Sequence, residues 1–122
     1  MIRSRYEIEL REGGKVEMLF TLALFGIAKK RGISLDLGEE ATADERITYY
    51  VKLMYAAAIL AWEYRAIDNP SLGEFPYKFI DFAEWSGNHP LQFAKIIKGA
   101  SSAIAGVEVD EDTDEPQDVK KK

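Results

Sequence analysis

At 122 residues the chain has room for one domain, and its 47% hydrophobic and 11% aromatic content is enough to build a core. It contains no cysteine, which excludes disulfides and thiolate metal sites and makes a reducing cytoplasm the expected location. Most of the formal net charge of −5 sits in residues 106–122, where seven acids (Glu108, Asp110, Glu111, Asp112, Asp114, Glu115 and Asp118) against three lysines give −4 and leave −1 for residues 1–105. A nearly neutral body without a basic stripe is not expected to bind nucleic acid through phosphate contacts.

The start, Met1-Ile2-Arg3-Ser4-Arg5, runs straight into alternating charge, and no apolar core of a secretion signal is expected there. Tyr6-Glu7-Ile8-Glu9-Leu10 then alternates apolar and charged residues, the period of a half-exposed strand. Gly13-Gly14 permits a tight turn, and Lys15-Val16-Glu17-Met18 resumes the alternation, so an N-terminal β-hairpin is expected. Two strands alone are marginal in water, and this pair must lean on helices or on another chain.

From Leu19 to Arg31 the apolar residues are too continuous for an exposed strand. A buried helix is expected over this stretch, with a strand continuing to Phe20 as the alternative. Lys29-Lys30-Arg31 and Gly32 suit its C-terminus. After a loop over residues 33–41, Thr42 and Glu45 are spaced as a capping box for a long helix over residues 43–67. That helix is apolar nearly all round, as expected of a central core helix or of one half covered by a partner subunit. The apolar runs Met18 to Ala28 and Leu53 to Trp62 are each near ~10 residues, short of the ~18 needed to span a bilayer.

Asp68-Asn69-Pro70-Ser71 ends the long helix, and residues 71–76 form a loop. A short amphipathic helix is expected over residues 77–86, stopped by Gly87. Asn88 is then the expected N-cap of a last helix, with Pro90 in its first turn. Leu91, Phe93, Ala94, Ile96 and Ile97 form the expected apolar face of that helix, and Gly99 with the small residues to Ala105 suggests that it frays or bends late. The expected fold is therefore mainly α (α+β): an N-terminal β-hairpin packed on a small bundle of about four helices over residues 1–105. Residues 106–122 are expected to form a disordered acidic tail, having too little apolar surface to offset the entropy of ordering.

The chemistry-bearing residues are few. His89 is the single histidine, and no local motif supplies an orienting partner for a catalytic base. Asp81 and Glu84 are spaced to share a helix face, where paired carboxylates can work as acid and base; with Phe82, Ala83 and Trp85 around them, a solvated helix face is the simpler reading. Glu63, between Trp62 and Tyr64, is read as pointing to solvent where the helix leaves the core. No phosphate-cradling glycine motif occurs. These residues predict a non-enzyme with no cofactor and no metal. The aromatic residues are core first and interface second, and their number leaves room for an exposed patch. Tyr50, Tyr55, Trp62, Phe79, Phe82, Trp85 and Phe93 are the candidates for binding a protein partner.

The order of hairpin, apolar helix, long helix, short Trp-bearing helix and final amphipathic helix resembles that of the tail assembly chaperones of long-tailed bacteriophages. The stretch from Phe75-Pro76-Tyr77-Lys78-Phe79 to Trp85, followed by Asn88-His89-Pro90-Leu91-Gln92-Phe93 and on to Ile97, is similar to the C-terminal half of that family. The start Tyr6-Glu7-Ile8-Glu9-Leu10 before an apolar helix is similar as well. The resemblance spans residues 5–105 and rests on pattern, not on a diagnostic motif. It implies a non-catalytic cytoplasmic protein that binds the tape measure protein, assists tail tube polymerisation and forms a homo-oligomer. The long helix, apolar all round, departs from a simple amphipathic pattern and implies a more compact domain than is usual in that family. The alternative is a small regulatory or adaptor protein that engages a partner through its acidic tail. A hydrolase or lyase using Asp81, Glu84 and His89 is the least favoured reading.

Overall fold

Alternation at the N-terminus produces the expected antiparallel hairpin, β1 (Arg5–Glu9) and β2 (Lys15–Leu19), in which Tyr6 lies opposite Met18 and Ile8 opposite Val16. All four of those side chains are buried. The computed structural model describes residues 4–11 and 13–105, so the tail expected over residues 106–122 lies outside the described residues. The turn closes with the Gly13 amide donating to the Leu10 carbonyl at 2.9 Å and the Leu10 amide donating to the Gly14 carbonyl at 2.8 Å. Gly13 has φ 82°, a conformation that a Cβ makes costly.

Gly14 is required for a different reason. A Cβ there would lie 2.8 Å from the Tyr77 hydroxyl oxygen and 3.3 Å from its ring. The missing side chain lets Tyr77 lie directly on the hairpin. Gly14→Ala is expected to destabilise the protein by about 1–3 kcal/mol through this overpacking. The same change in a Tyr77→Phe background should cost measurably less, because the closest contact is gone. Urea unfolding of the four proteins in the double-mutant cycle measures that coupling, and equal costs in both backgrounds would contradict it.

The strand extends to Leu19, and the Phe20 amide continues the ladder by donating to the Ser4 carbonyl at 2.8 Å. This corrects the helix expected from Leu19, in favour of the strand alternative. Met18 and Phe20 are fully buried at alternate positions, and the Phe20 ring meets Tyr6 edge-on at 5.8 Å. Continuing the ladder places both side chains in the core. The helix α1 then spans Ala23–Lys30 and buries only Leu24 and Ala28, while Leu22 and Phe25 face solvent. It is a surface helix and not the buried one expected. It ends in a Schellman-type closure, with the Ile33 amide donating to the Ala28 carbonyl at 2.8 Å and Gly32 at φ 74°.

The long helix α2 (Ala43–Asp68) begins with the capping box read from the sequence: the Glu45 amide donates to the Thr42 hydroxyl at 3.2 Å and the Thr42 amide to the Glu45 carboxylate at 2.9 Å. Its middle, Val51 to Ala61, is buried on every side except at Lys52 and Tyr55. Ala56, Ala57 and Ala58 are at most 1% exposed, and their small size lets neighbours approach from several directions. β2, α1 and α3 all pack on α2. Both ends project beyond the core, leaving Ile47, Tyr64 and Ile67 exposed.

A 3₁₀ turn (Pro70–Leu72) falls in the segment expected to be loop, after which α3 runs from Phe79 to Asn88 and α4 from Pro90 to Ala105. Gly87 does not stop α3, and Asn88 is its last residue and not a cap for α4. The His89 carbonyl accepts the first α4 bond, from the Phe93 amide at 2.8 Å, and Pro90 occupies the first helical position where no amide is needed. α4 continues through Gly99 without fraying, because Ile97 and Ala100 on either side of it are buried and Ile104 packs on the core. α4 packs chiefly on α3.

Candidate functional site

Four of the seven aromatic candidates converge where α2, α3 and the segment between them meet. The Tyr55 ring is surrounded edge-on by Phe75 at 6.0 Å, Phe79 at 5.8 Å and Phe82 at 5.5 Å. Phe75 also meets Trp62 at 5.8 Å and Tyr77 at 5.6 Å edge-on, and stacks on Phe82 at 6.4 Å. Edge-to-face pairing of this kind adds to the area buried. The Trp62 indole N–H donates to the Gly73 carbonyl at 3.0 Å, and the Arg65 guanidinium sits 5.5 Å from the same ring. These contacts fasten the connecting segment and α3 onto α2.

Phe82 is fully buried and Trp85 is 6% exposed, so both belong to the core and present no surface to a partner. This corrects their assignment as partner-binding residues: helical phase turns both inwards, with Ser86 beside them. Tyr50, Tyr55, Trp62, Phe79 and Phe93 are half-buried. The large apolar side chains most open to solvent are instead mainly aliphatic: Leu91 at 85% exposure, Ile67 at 71%, Leu22 at 68% and Ile80 at 61%. Helical phase was the available signal. The buried positions of α4 are Ile96, Ile97, Gly99 and Ala100, with Phe93 half-buried, and Leu91 falls on the opposite side; Ile80 is likewise out of phase with Phe82, Trp85 and Ser86 in α3.

Asp81, Glu84 and His89 do come together. With Glu9, Arg11, Trp85 and Asn88 they line a pocket of about 140 Å³ between the hairpin turn and the end of α3. Each has a structural partner. The Asp81 carboxylate accepts from the Lys78 amide at 2.9 Å and so caps α3, while Glu84 pairs with Arg11 at 3.2 Å. The His89 ring stacks on Trp85 at 4.8 Å, and its Nδ1–H donates to the Trp85 carbonyl at 2.9 Å. A carbonyl only accepts, so a neutral ring keeps Nε2 as its acceptor. Among the described residues, no three His, Asp or Glu side chains converge in a way that could hold a metal ion. Glu63, read as solvent-facing, is partly exposed and pairs with Arg31 at 3.2 Å, tying the end of α1 to α2.

A wider opening of about 540 Å³ lies between the loop at residues 34–41 and the first half of α2, with Asp36, Glu40, Asp44 and Glu45 outnumbering Lys52 in its lining. That potential repels phosphate. None of the helices is long and apolar enough to cross a membrane, among the described residues. No protein-family model matches the chain, and no curated protein or solved structure matches it.

Proposed function

We propose that this chain is a non-catalytic binding protein that covers apolar segments of other proteins, acting as a phage tail assembly chaperone on a tape measure protein and on tail tube subunits in the host cytoplasm. The observation that supports this reading is the set of seven large apolar side chains left exposed among the described residues, led by Leu91, Ile67, Leu22 and Ile80. They lie on and just before α1, at both ends of α2, and on α3 and α4, so the body offers apolar contact points on several sides. A long helical partner with an apolar stripe matches such a surface, since aliphatic side chains exposed in this way gain by burial against it. Asp81, Glu84 and His89, meanwhile, are accounted for by capping, ion pairing and stacking.

Affinity capture from lysate of the source cells with a resident prophage induced tests the proposal. A long helical protein of tape-measure type or a tube subunit is the expected recovery, and neither recovered would contradict it. The second reading, an adaptor acting through its acidic tail, rests on the −4 charge of residues 106–122. Under that reading deletion of residues 107–122 abolishes partner binding, whereas under the chaperone reading the helical body retains it.

A further inference from the structure

Gly26 occupies the middle of α1, yet nothing in the fold calls for a glycine there. Among the described residues a Cβ at Gly26 would meet nothing within 4 Å, and unlike Gly13, Gly32 and Gly73 it has no positive φ. Glycine inside a helix lowers stability relative to alanine, because its backbone loses more freedom on folding. α1 therefore bears that penalty with no turn and no close packing of its own chain to account for it.

The missing side chain lies on the outer face. Leu24 and Ala28 are buried, α1 packs chiefly on α2, and helical phase turns Leu22, Ala23, Phe25, Lys29 and Lys30 outwards around Gly26, where all five are exposed. These side chains rim a notch that interrupts the i, i+4 row from Leu22 to Lys30. Its apolar rim is towards the start of α1 and its basic rim towards the end. Arg31 is taken up by Glu63, whereas Lys29 and Lys30 have no ion pair among the described residues, and α1 itself contains no acid. A notch of this form accepts one large apolar side chain from a helix laid across α1, as a knob enters the gap between residues of a facing helix. The two bare lysines attract carboxylates beside that knob. A bilayer is the poorer match, because lipid binding grows with the apolar area buried and Gly26 removes such area from the centre of the face.

We propose that the outer face of α1 is a docking site for an acidic amphipathic helix of another protein, which sets a leucine-sized side chain into the notch at Gly26 and carboxylates against Lys29 and Lys30. The inference rests on the reading of this chain as a binding protein, and it adds a surface separate from Ile80 and Leu91 together with a charge preference. The attraction between exposed charges makes the docking weaken with salt.

Fluorescence anisotropy of the full chain at low salt tests it, with a labelled helical peptide that has a leucine stripe bordered by glutamates and a second peptide bordered by lysines. The wild type is expected to bind the acidic peptide and not the basic one. Gly26→Ala should raise the thermal unfolding midpoint by about 4 °C and yet weaken binding roughly tenfold, a combination that misfolding cannot produce. Lys29→Glu with Lys30→Glu should reverse the preference between the two peptides. Ile80→Ser with Leu91→Ser should bind the acidic peptide as the wild type does. The probe contains no tail protein, so a failed capture of tape-measure or tube protein leaves this result standing, and the reverse also holds. A wild type that binds neither peptide at millimolar concentration, unchanged binding by Gly26→Ala, or an unreversed preference in the lysine variant would each overturn the proposal. So would loss of binding in the Ile80 and Leu91 variant, or tighter binding of vesicles containing phosphatidylglycerol than of the acidic peptide.

Discussion

Phe82→Ala is expected to lower the unfolding free energy by about 3–5 kcal/mol, the range for deleting a buried phenyl ring. Phe82 has no exposed surface, and its ring touches both Tyr55 and Phe75, the two hubs of the aromatic cluster. Removing it leaves a void bounded by rings that are themselves fastened, Phe75 through Trp62 and Tyr77, and Tyr55 by the α2 backbone. Such surroundings collapse poorly, which places the cost towards the upper end. Native domains of this size are stable by roughly 5–15 kcal/mol, so the loss removes a large share of the total. The midpoint of urea unfolding measures the loss. Ile80→Ala in the same helix, at an exposed position, should shift it by under ~0.5 kcal/mol; a similar shift for both variants would show that α3 does not dock as described.

Phe20→Ala is expected to cost a comparable ~3–5 kcal/mol, although it lies beyond the last residue of β2. Its ring is fully buried against Tyr6, and its amide extends the ladder to Ser4. Leu22→Ala, two residues on, removes a side chain that is 68% exposed and should change stability by no more than about 0.5 kcal/mol. The contrast distinguishes the observed strand extension from a buried helix starting at Leu19, in which the apolar stretch would shelter both side chains. Thermal unfolding of the two variants reads it directly: a large loss for Leu22→Ala would contradict the surface position of α1.

Local signals were legible where one short-range interaction settles the structure. The Thr42–Glu45 box marks the start of α2, the Gly13-Gly14 turn sets the hairpin, and the alternation from Tyr6 to Leu10 identifies its buried face. The errors arose where tertiary packing chose between local options. Met18 to Ala28 is apolar but for Thr21, and periodicity could not say where strand period gives way to helix period; the ladder bond from the Phe20 amide to the Ser4 carbonyl settles it. Gly87 looked like a stop, yet the turn that it would have ended contains the buried Ser86, whose hydroxyl donates to the Phe82 carbonyl at 2.8 Å. The aromatic residues were legible as a cluster but not by side. Phe82 and Trp85 turned inwards, while the apolar side chains that reach solvent, Ile80 and Leu91 among them, carry no motif and are found only by following helical phase around α3 and α4.

The most direct test of the binding role is a comparison of captured partner among three proteins: wild type, Ile80→Ser with Leu91→Ser, and a chain lacking residues 107–122. Both serine positions are exposed, so the double variant should keep its wild-type unfolding midpoint. The account predicts that it loses most of the captured tape-measure or tube protein, while the truncated chain captures as much as the wild type. Full capture by the double variant together with loss on truncation would contradict it and assign the partner to the acidic tail.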